Sequence, residues 1–540
     1  MPRKSKALPF YTLDCETDPF KVGRVPMPFI WGLYNGDGEQ YKEFQTPKAV
    51  VEYLRTRRVV VYAHNGGKFD YHYLRDDINS DDPIMVIAGR LARFKIGEAE
   101  FRDSMNLLVN PLRAFAKEEM DYTKLEADVR AQHLDEIRRY LRSDCVNLWN
   151  TIKAYFDRYG RTLTQAGASM KYWRKHYPVD FIPQTLAQSE IYRQFYYGGR
   201  VQCFESGYAR TPFSVVDINS AYPYAMLSRH PISPEGVVSS HLPPEGKIER
   251  CMIKLEAVAR GCFPFRTLTN ELYFPDDGIL REYYVTGWEL VAALECDAVK
   301  IFRIIEVHYF TQTVDFNDYI QHFYAERQRA KANGDKMGDV FAKLFMNSLY
   351  GKFAADPSKY REYLIASDDS INQWREQEYE RLQPWGDRHL LARSLPEEKH
   401  RYYNVATAGS ITGLVRAFLF RALSTCGGVL YCDTDSIAAR DTSRLTMGSG
   451  LGQWKLESTC DEYAIAGKKL YAFRDATTGE YKTASKGVQL EAPDIIRIAK
   501  GETVSYDPEV PTYSIQREAP TFISRNVKAT VKDIRFLPLQ

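Results

Sequence analysis

Tyr431-Cys432-Asp433-Thr434-Asp435-Ser436 sets two carboxylates two residues apart, with Gly427-Gly428-Val429-Leu430 before them and Ile437-Ala438-Ala439 after. The flanks read as two short strands meeting at the aspartates, and residues i and i+2 on an extended backbone point to one face. Two acidic side chains buried side by side repel unless a divalent cation lies between them. Alone, an Asp-Thr-Asp is more often a solvated acidic turn. Acids elsewhere in the chain make this one decisive.

The chain has 540 residues, which predicts about two to four domains. Its net charge is +2. Near-neutrality does not exclude a polyanion, because acidic cation-holding clusters and basic grooves cancel in the sum. The nine cysteines include no Cys-x-x-Cys pair, which argues against structural zinc or a disulfide framework and for free thiols in a reducing compartment. The best membrane candidate, Ile411 to Leu423, is interrupted by Arg416 and Arg421, and no apolar signal follows Met1-Pro2-Arg3-Lys4. A cytoplasmic protein with no membrane contact is expected. The 37 tyrosines and 28 phenylalanines, many beside Lys, Arg or Gly, pack a core or stack on nucleotides.

Phe10 to Thr17 reads as a strand with Asp14 and Glu16 on one face. Val59 to His64 reads as a second strand, running into the turn Asn65-Gly66-Gly67-Lys68 and delivering Phe69-Asp70. Asp135 to Tyr155 reads as an amphipathic helix in which Tyr140 and Asp144 share one side. Singly, each acid is more often a surface residue. Together, four carboxylates suit two metal ions about 3.5–4 Å apart that activate water and stabilise a leaving oxygen.

A further strand, Val215-Val216-Asp217, runs into a tight turn with Pro223. It would present Asp217 beside backbone N–H groups, a seat for metal and triphosphate or else an ordinary strand end with a capping Asp. Val340 to Phe353 reads as a helix with Lys343, Asn347 and Tyr350 or Gly351 on one face. A lysine for phosphate and an aromatic beside a glycine describe a surface that grips a nucleotide.

The N-terminal acids resemble the DEDD-type 3′–5′ exonucleases on a ribonuclease H-like fold, in Asp14-x-Glu16, Asn65-x-x-x-Phe69-Asp70 and Tyr140-x-x-x-Asp144. The resemblance implies that Asp14, Glu16, Asp70 and Asp144 hold the metals and that Tyr140 orients the attacking water. It also implies that Thr17, Asn65 and Phe69 contact the frayed 3′ end of single-stranded DNA. Lys117 matches a lysine that assists catalysis in one polymerase subgroup, with a solvated helix-end lysine as the alternative.

Asp217-x-x-Ser220-x-Tyr222-Pro223, Lys343-x-x-x-Asn347-Ser348-x-Tyr350-Gly351 and Tyr431-x-Asp433-Thr434-Asp435-Ser436 resemble motifs A, B and C of the family B DNA polymerases, in order. Lys469-Leu470-Tyr471 resembles the Lys-x-Tyr motif that follows them. Tyr196-Tyr197-Gly198-Gly199 resembles the Tyr-x-Gly-Gly linker of the protein-primed subgroup. By this resemblance Asp217 and Asp433 are metal ligands with Asp435 as their catalytic neighbour. Lys343 and Lys331 grip the triphosphate, Tyr222 stacks under the sugar and excludes a 2′-hydroxyl, and Tyr350 and Asn347 line the nascent pair. Tyr196, Gly198, Gly199, Lys469 and Tyr471 contact DNA, the last two at the primer terminus.

The implied fold is a multidomain α/β and α+β chain: a ribonuclease H-like exonuclease at 1–165, then a right-hand polymerase at 166–540. Its palm spans about 166–228 and 401–495, joined to the first domain by a small-residue linker at Thr162 to Ser169. A terminal-protein-region insertion takes about 229–318, fingers about 319–354, a second insertion about 355–400 and the thumb about 496–540. Ordinary loop growth is the alternative for both insertions. The implied cofactors are two Mg²⁺ (or Mn²⁺) ions per site, with dNTP substrates. The implied partners are primer-template DNA, single-stranded DNA and a terminal protein, bound by a monomer in the host cytoplasm of a bacteriophage or linear plasmid. The expected function is protein-primed, strand-displacing DNA synthesis with proofreading. The alternatives are a family B polymerase using ordinary primers, and a nuclease with a non-catalytic polymerase-like scaffold. Arg200 stands where an aromatic is usual, a departure that bears on template contact.

Overall fold

The computed structural model describes residues 7–36, 40–115 and 118–530. Near the N-terminus, Val60–Ala63 is buried at every position, as expected of a strand covered on both faces. It pairs in parallel with Phe10–Thr17 on one side and Ala99–Asp103 on the other. Four more strands extend this into a seven-stranded mixed sheet, in the order Lys42–Phe44, Pro28–Tyr34, Phe10–Thr17, Val60–Ala63, Ala99–Asp103, Arg90–Ile96, Met85–Ile87. The helix Leu134–Tyr159 packs on Phe10–Thr17 and Pro28–Tyr34, with Leu148 and Ile152 in one cluster with Phe10 and Ile137 and Leu141 in another with Ile30 and Tyr34, all four buried at helical spacing. Across that contact the Thr12 hydroxyl donates to the Cys145 carbonyl at 2.7 Å.

A second seven-stranded sheet is antiparallel throughout, ordered Tyr481–Ser485, Leu470–Asp475, Trp454–Gly467, Gly207–Ile218, Ser436–Asp441, Gly427–Asp433, Val201–Cys203. Its register sets Lys455 opposite Asp217, Asp217 opposite Ser436, and Ser436 opposite Asp433. Residues paired across adjacent strands share a face, so the two carboxylates flank one small serine. Val216, Ile218, Cys432 and Ile437 join one buried cluster with the helices Asn317–Ala332, Lys336–Phe353 and Val405–Thr425. Val405–Thr425 is buried almost all round, which its apolar composition requires.

Residues 229–318 build their own four-stranded sheet, Val237–Ser239, Val299–Tyr309, Cys251–Ala259 and Arg281–Thr286, with the helix Gly287–Glu295 and a small hairpin of Phe265–Arg266 and Leu272–Tyr273. Residues 361–394 form a three-stranded sheet. Tyr363, Ile365, Trp385 and Leu390 from it enter the core of the N-terminal sheet. The indole N–H of Trp385 donates to the Arg75 carbonyl at 3.2 Å.

Two local readings need correction. The small residues from Thr162 to Ser169 are no open linker: Thr164 caps the helix Gln165–His176, its hydroxyl accepting from the Gly167 N–H at 3.1 Å. Ala168 and Ser169 are small because that helix face is buried. Pro223 lies inside the short helix Ala221–Ala225 rather than in a turn, and the tight backbone falls earlier, at Ser220 with φ 54°. Among the described residues no helix is long and apolar enough to cross a membrane. All nine cysteines are free thiols.

Candidate active sites

At the end of the strand Phe10–Thr17 the structure brings together the four N-terminal acids. Glu16, Asp70 and Asp144 are buried, and all four carboxylates push up the pKa of the buried Cys145 thiol, after burial itself. Asp70 accepts from the Cys15 thiol at 3.2 Å, and its own pKa is pushed up to about 6, first by burial and then by the charge of Asp103. The Tyr140 hydroxyl is 3.4 Å from that of Tyr122. Burial, that hydroxyl and the charge of Asp144 hold its pKa up. Thr17 is buried, its hydroxyl donating to the Asp18 carbonyl at 3.0 Å. Phe69 meets Phe20 edge-on with centroids 5.5 Å apart, leaving an aromatic rim beside the acids. Lys117 lies outside the described residues.

The turn that delivers Asp70 is a short 3₁₀ segment, Gly66–Lys68, entered through Asn65 in the left-handed region at φ 66°. It is held by Asp103, which the sequence does not single out. The Asp103 carboxylate accepts from the Asn65, Gly67 and Met105 N–H groups at 3.0, 3.0 and 2.9 Å and from Arg90 at 2.8 Å. Asp103→Ala would strand these buried and partly buried donors, a loss on the order of 3 kcal/mol. A urea midpoint that does not fall would show that the turn stands without its carboxylate. A second residue that local patterns miss is Tyr513, whose hydroxyl lies 2.7 Å from that of Tyr73 and whose ring meets Phe69.

In the second sheet, Asp217 and Asp433 point from one face with Ser436 between them, and Asp435 follows in the turn. Burial and then the charge of Asp435 push the Asp217 pKa up to about 7. Burial and then Asp433 push that of Asp435 to about 6. This is what acids crowded into a half-dry site do. Lys469 donates to both Asp433 oxygens, at 2.8 and 2.7 Å. Lys343, exposed on its helix, and Lys482 on the edge strand Tyr481–Ser485 both act on Asp217. Lys482 and its 2.6 Å partner Glu457 are further residues without a motif to mark them. Lys331 is exposed in the last turn of Asn317–Ala332 and is not among the groups that act most on Asp217.

The Tyr222 and Tyr350 rings lie parallel with centroids 4.4 Å apart, next to the partly exposed Asn347. Tyr471 stacks on Phe473 at 4.4 Å. Arg416, read in the sequence only as an interruption of an apolar run, is buried against Glu289 at 2.7 Å. It donates to the Tyr197 and Gly198 carbonyls at 2.6 and 3.0 Å, fixing the segment that holds Tyr196 and Gly199. Three non-glycine residues of this centre, Ser220, Thr434 and Lys469, have positive φ, the kind of backbone strain that clusters at functional sites.

Among the described residues no three Asp, Glu, His or Cys side chains close around a cation. Mg²⁺ takes oxygen ligands and is commonly held by one or two carboxylates, with water and substrate phosphates completing the shell. The Asp217-Ser436-Asp433 row, all oxygen and crowded with acids, fits that chemistry. So does the N-terminal set.

The sequence pattern of the family described as DNA polymerase type B, organellar and viral, matches residues 116–407. The chain is 38% identical over 506 residues to the DNA-directed DNA polymerase of Enterobacteria phage PRD1, covering 92% of this chain and 89% of that one. It is 23% identical to the DNA polymerase of Bacillus phage Nf, over 68% and 66% of the two chains. Its fold is similar to that of the phi29 DNA polymerase solved with primer-template DNA and incoming nucleotide, with a TM-score of 0.74 at 18% identity, covering 97% of this chain and all of that one.

Proposed function

The chain belongs to the type B DNA polymerases and is a DNA-directed DNA polymerase of phage type; from there we propose that it copies a linear genome from a protein primer, displacing the strand ahead and proofreading with its N-terminal acids. The observation that carries this reading is the presence of two separate carboxylate centres in one chain. One faces a lysine-bearing helix and a tyrosine stack, the other an aromatic rim.

In the synthetic centre Asp217 and Asp433 would hold the two Mg²⁺ (or Mn²⁺) ions, with Asp435 tuning their surroundings. In the degradative centre Asp14, Glu16, Asp70 and Asp144 would hold two. Bound there, such ions supply an activated oxygen nucleophile at neutral pH and neutralise the charge of the leaving group. The protein supplies position. Lys343 takes the triphosphate, with Lys331 in the same role at longer range. Tyr222 lies under the sugar and leaves no room for a 2′-hydroxyl. Tyr350 and Asn347 line the nascent pair, and Lys469 and Tyr471 hold the primer terminus. Tyr140 orients the water that attacks a mispaired 3′ end, and Thr17, Asn65 and Phe69 hold that end single-stranded. Lys117 assists there.

A protein primer is supported by the Tyr196-x-Gly198-Gly199 segment and by the folded insertion at 229–318, whose edge strand Val237–Ser239 is exposed at every position. Strand displacement is supported by the sheet at 361–394, which braces the N-terminal unit beside the polymerase. We take 1–165 as the degradative unit and 166–540 as the synthetic one, dividing them at the start of the helix Gln165–His176. We place the enzyme in the host cytoplasm as a monomer. Rolling-circle synthesis on a primed single-stranded circle, with Mg²⁺, dNTPs and no accessory protein, tests the reading. Products many times the circle length are expected; a halt after one lap would remove strand displacement.

A further inference from the structure

We infer that Arg200 is a positioning residue of the polymerisation centre, through which the inserted segment 229–318 sets the geometry of the Asp433-Thr434-Asp435 turn. The inference rests on the assignment of Asp433 to that centre.

The sequence leaves Arg200 as a departure bearing on template contact. Its side chain is 3% exposed and faces inward. One terminal N–H donates to the Gly261 carbonyl at 2.8 Å, and Nε and the other terminal nitrogen donate to Gln202 Oε1 at 3.0 and 2.6 Å. The guanidinium lies 4.3 Å from the centroid of the Phe274 ring. Gly261 and Phe274 belong to the insertion and Gln202 to the strand Val201–Cys203, so the guanidinium joins the insertion to the sheet.

The Arg200 backbone faces the catalytic turn. Its carbonyl accepts from the Thr434 N–H at 2.6 Å. Thr434 has φ 62°, a left-handed conformation that a β-branched residue adopts only when its surroundings impose it. Gly199 allows the approach: a Cβ there would stand 2.7 Å from Thr434 Cγ2. The strained residue that aims Asp433 and Asp435 is therefore held by a segment whose own anchor is the Arg200 side chain.

A second strut joins the same inserted hairpin to the same carboxylate. Lys468 Nζ donates to the Leu272 carbonyl at 2.9 Å and pairs with Glu271 at 3.7 Å. The next residue, Lys469, is also left-handed at φ 56°. Its N–H donates to the Tyr431 hydroxyl at 2.9 Å while its ammonium grips Asp433. Both sides of the turn are thus referenced to residues 261–274. A shift of that hairpin would reach the synthetic carboxylates by two short routes and the N-terminal acids by neither.

The test uses full-length Arg200→Ala, Arg200→Lys, Phe274→Ala and Asp433→Asn. Single-nucleotide incorporation is measured across Mg²⁺ and dNTP concentrations, beside degradation of single-stranded DNA and the thermal midpoint. Arg200→Ala and Phe274→Ala are each expected to lower kcat by about tenfold or more with the dNTP KM within about twofold, since small misplacement of reacting groups costs that much. Their half-activating Mg²⁺ should rise, Arg200→Lys should recover part of the loss, and degradation should be unchanged. Wild-type incorporation in the Arg200 and Phe274 variants, with Asp433→Asn inactive, would overturn the inference alone. Synthesis, degradation and midpoint falling together would also overturn it, as a purely structural effect. An active Asp433→Asn would instead remove the site assignment beneath it.

Discussion

Asp433→Ala is expected to abolish nucleotide incorporation on a primed template while single-stranded DNA is still shortened from its 3′ end. Asp433 lies in register with Ser436, whose strand alone separates it from Asp217, and its two oxygens are already gathered by Lys469. Changes to the outer partners of a metal ligand cost about 10–100-fold, so loss of a ligand itself should exceed that. Stability should hardly move, because Lys469 is 41% exposed and a pair so open to water contributes about 0–1 kcal/mol. The turn keeps its Arg200 and Asp435 backbone bonds. Incorporation and degradation measured on one preparation separate the outcomes: loss of both together would undermine two independent centres.

The elements that carry the motifs were legible because each motif is local. The strand Phe10–Thr17 has the bounds read from the sequence, and the aspartate hairpin closes where two apolar runs meet. The helix read from Val340 starts a turn earlier, at Lys336, because Asp335 caps it, accepting from the Gly338 N–H at 2.8 Å. A one-sided hydrophobic pattern does not reveal such a cap. What stayed hidden was held by distant partners. Asp103 shapes a turn 36 residues away from it, and Tyr513 reaches Tyr73 across 440 residues. Glu457 acts on Asp217 from the adjacent strand and Lys482 from the sheet edge, both on strands that carry no motif. The small residues at Thr162 to Ser169 misled because a linker and a tightly packed helix face favour the same residue types. Only the partner surface distinguishes them.

Asp14→Ala combined with Asp70→Ala is expected to remove degradation of single-stranded DNA by more than about 100-fold and to leave primer extension within about twofold of the parent. The two acids come from different elements, a strand and the first turn after Gly66–Lys68, so the pair opens the metal seat from two sides. Misfolding can be separated from this loss. Burial raises the Asp70 pKa from 3.8 to about 6, so the native state holds its proton where the unfolded chain has released it. Ionising Asp70 then costs folding free energy as the pH rises through that interval. Without that carboxyl, the variant should lose this decline between about pH 4 and pH 6. Extension on a correctly paired primer should continue, while a mispaired 3′ end should now be extended or stalled rather than trimmed. A variant that still digests 3′ ends at the parental rate, with synthesis intact, would remove the N-terminal acids from the degradative centre.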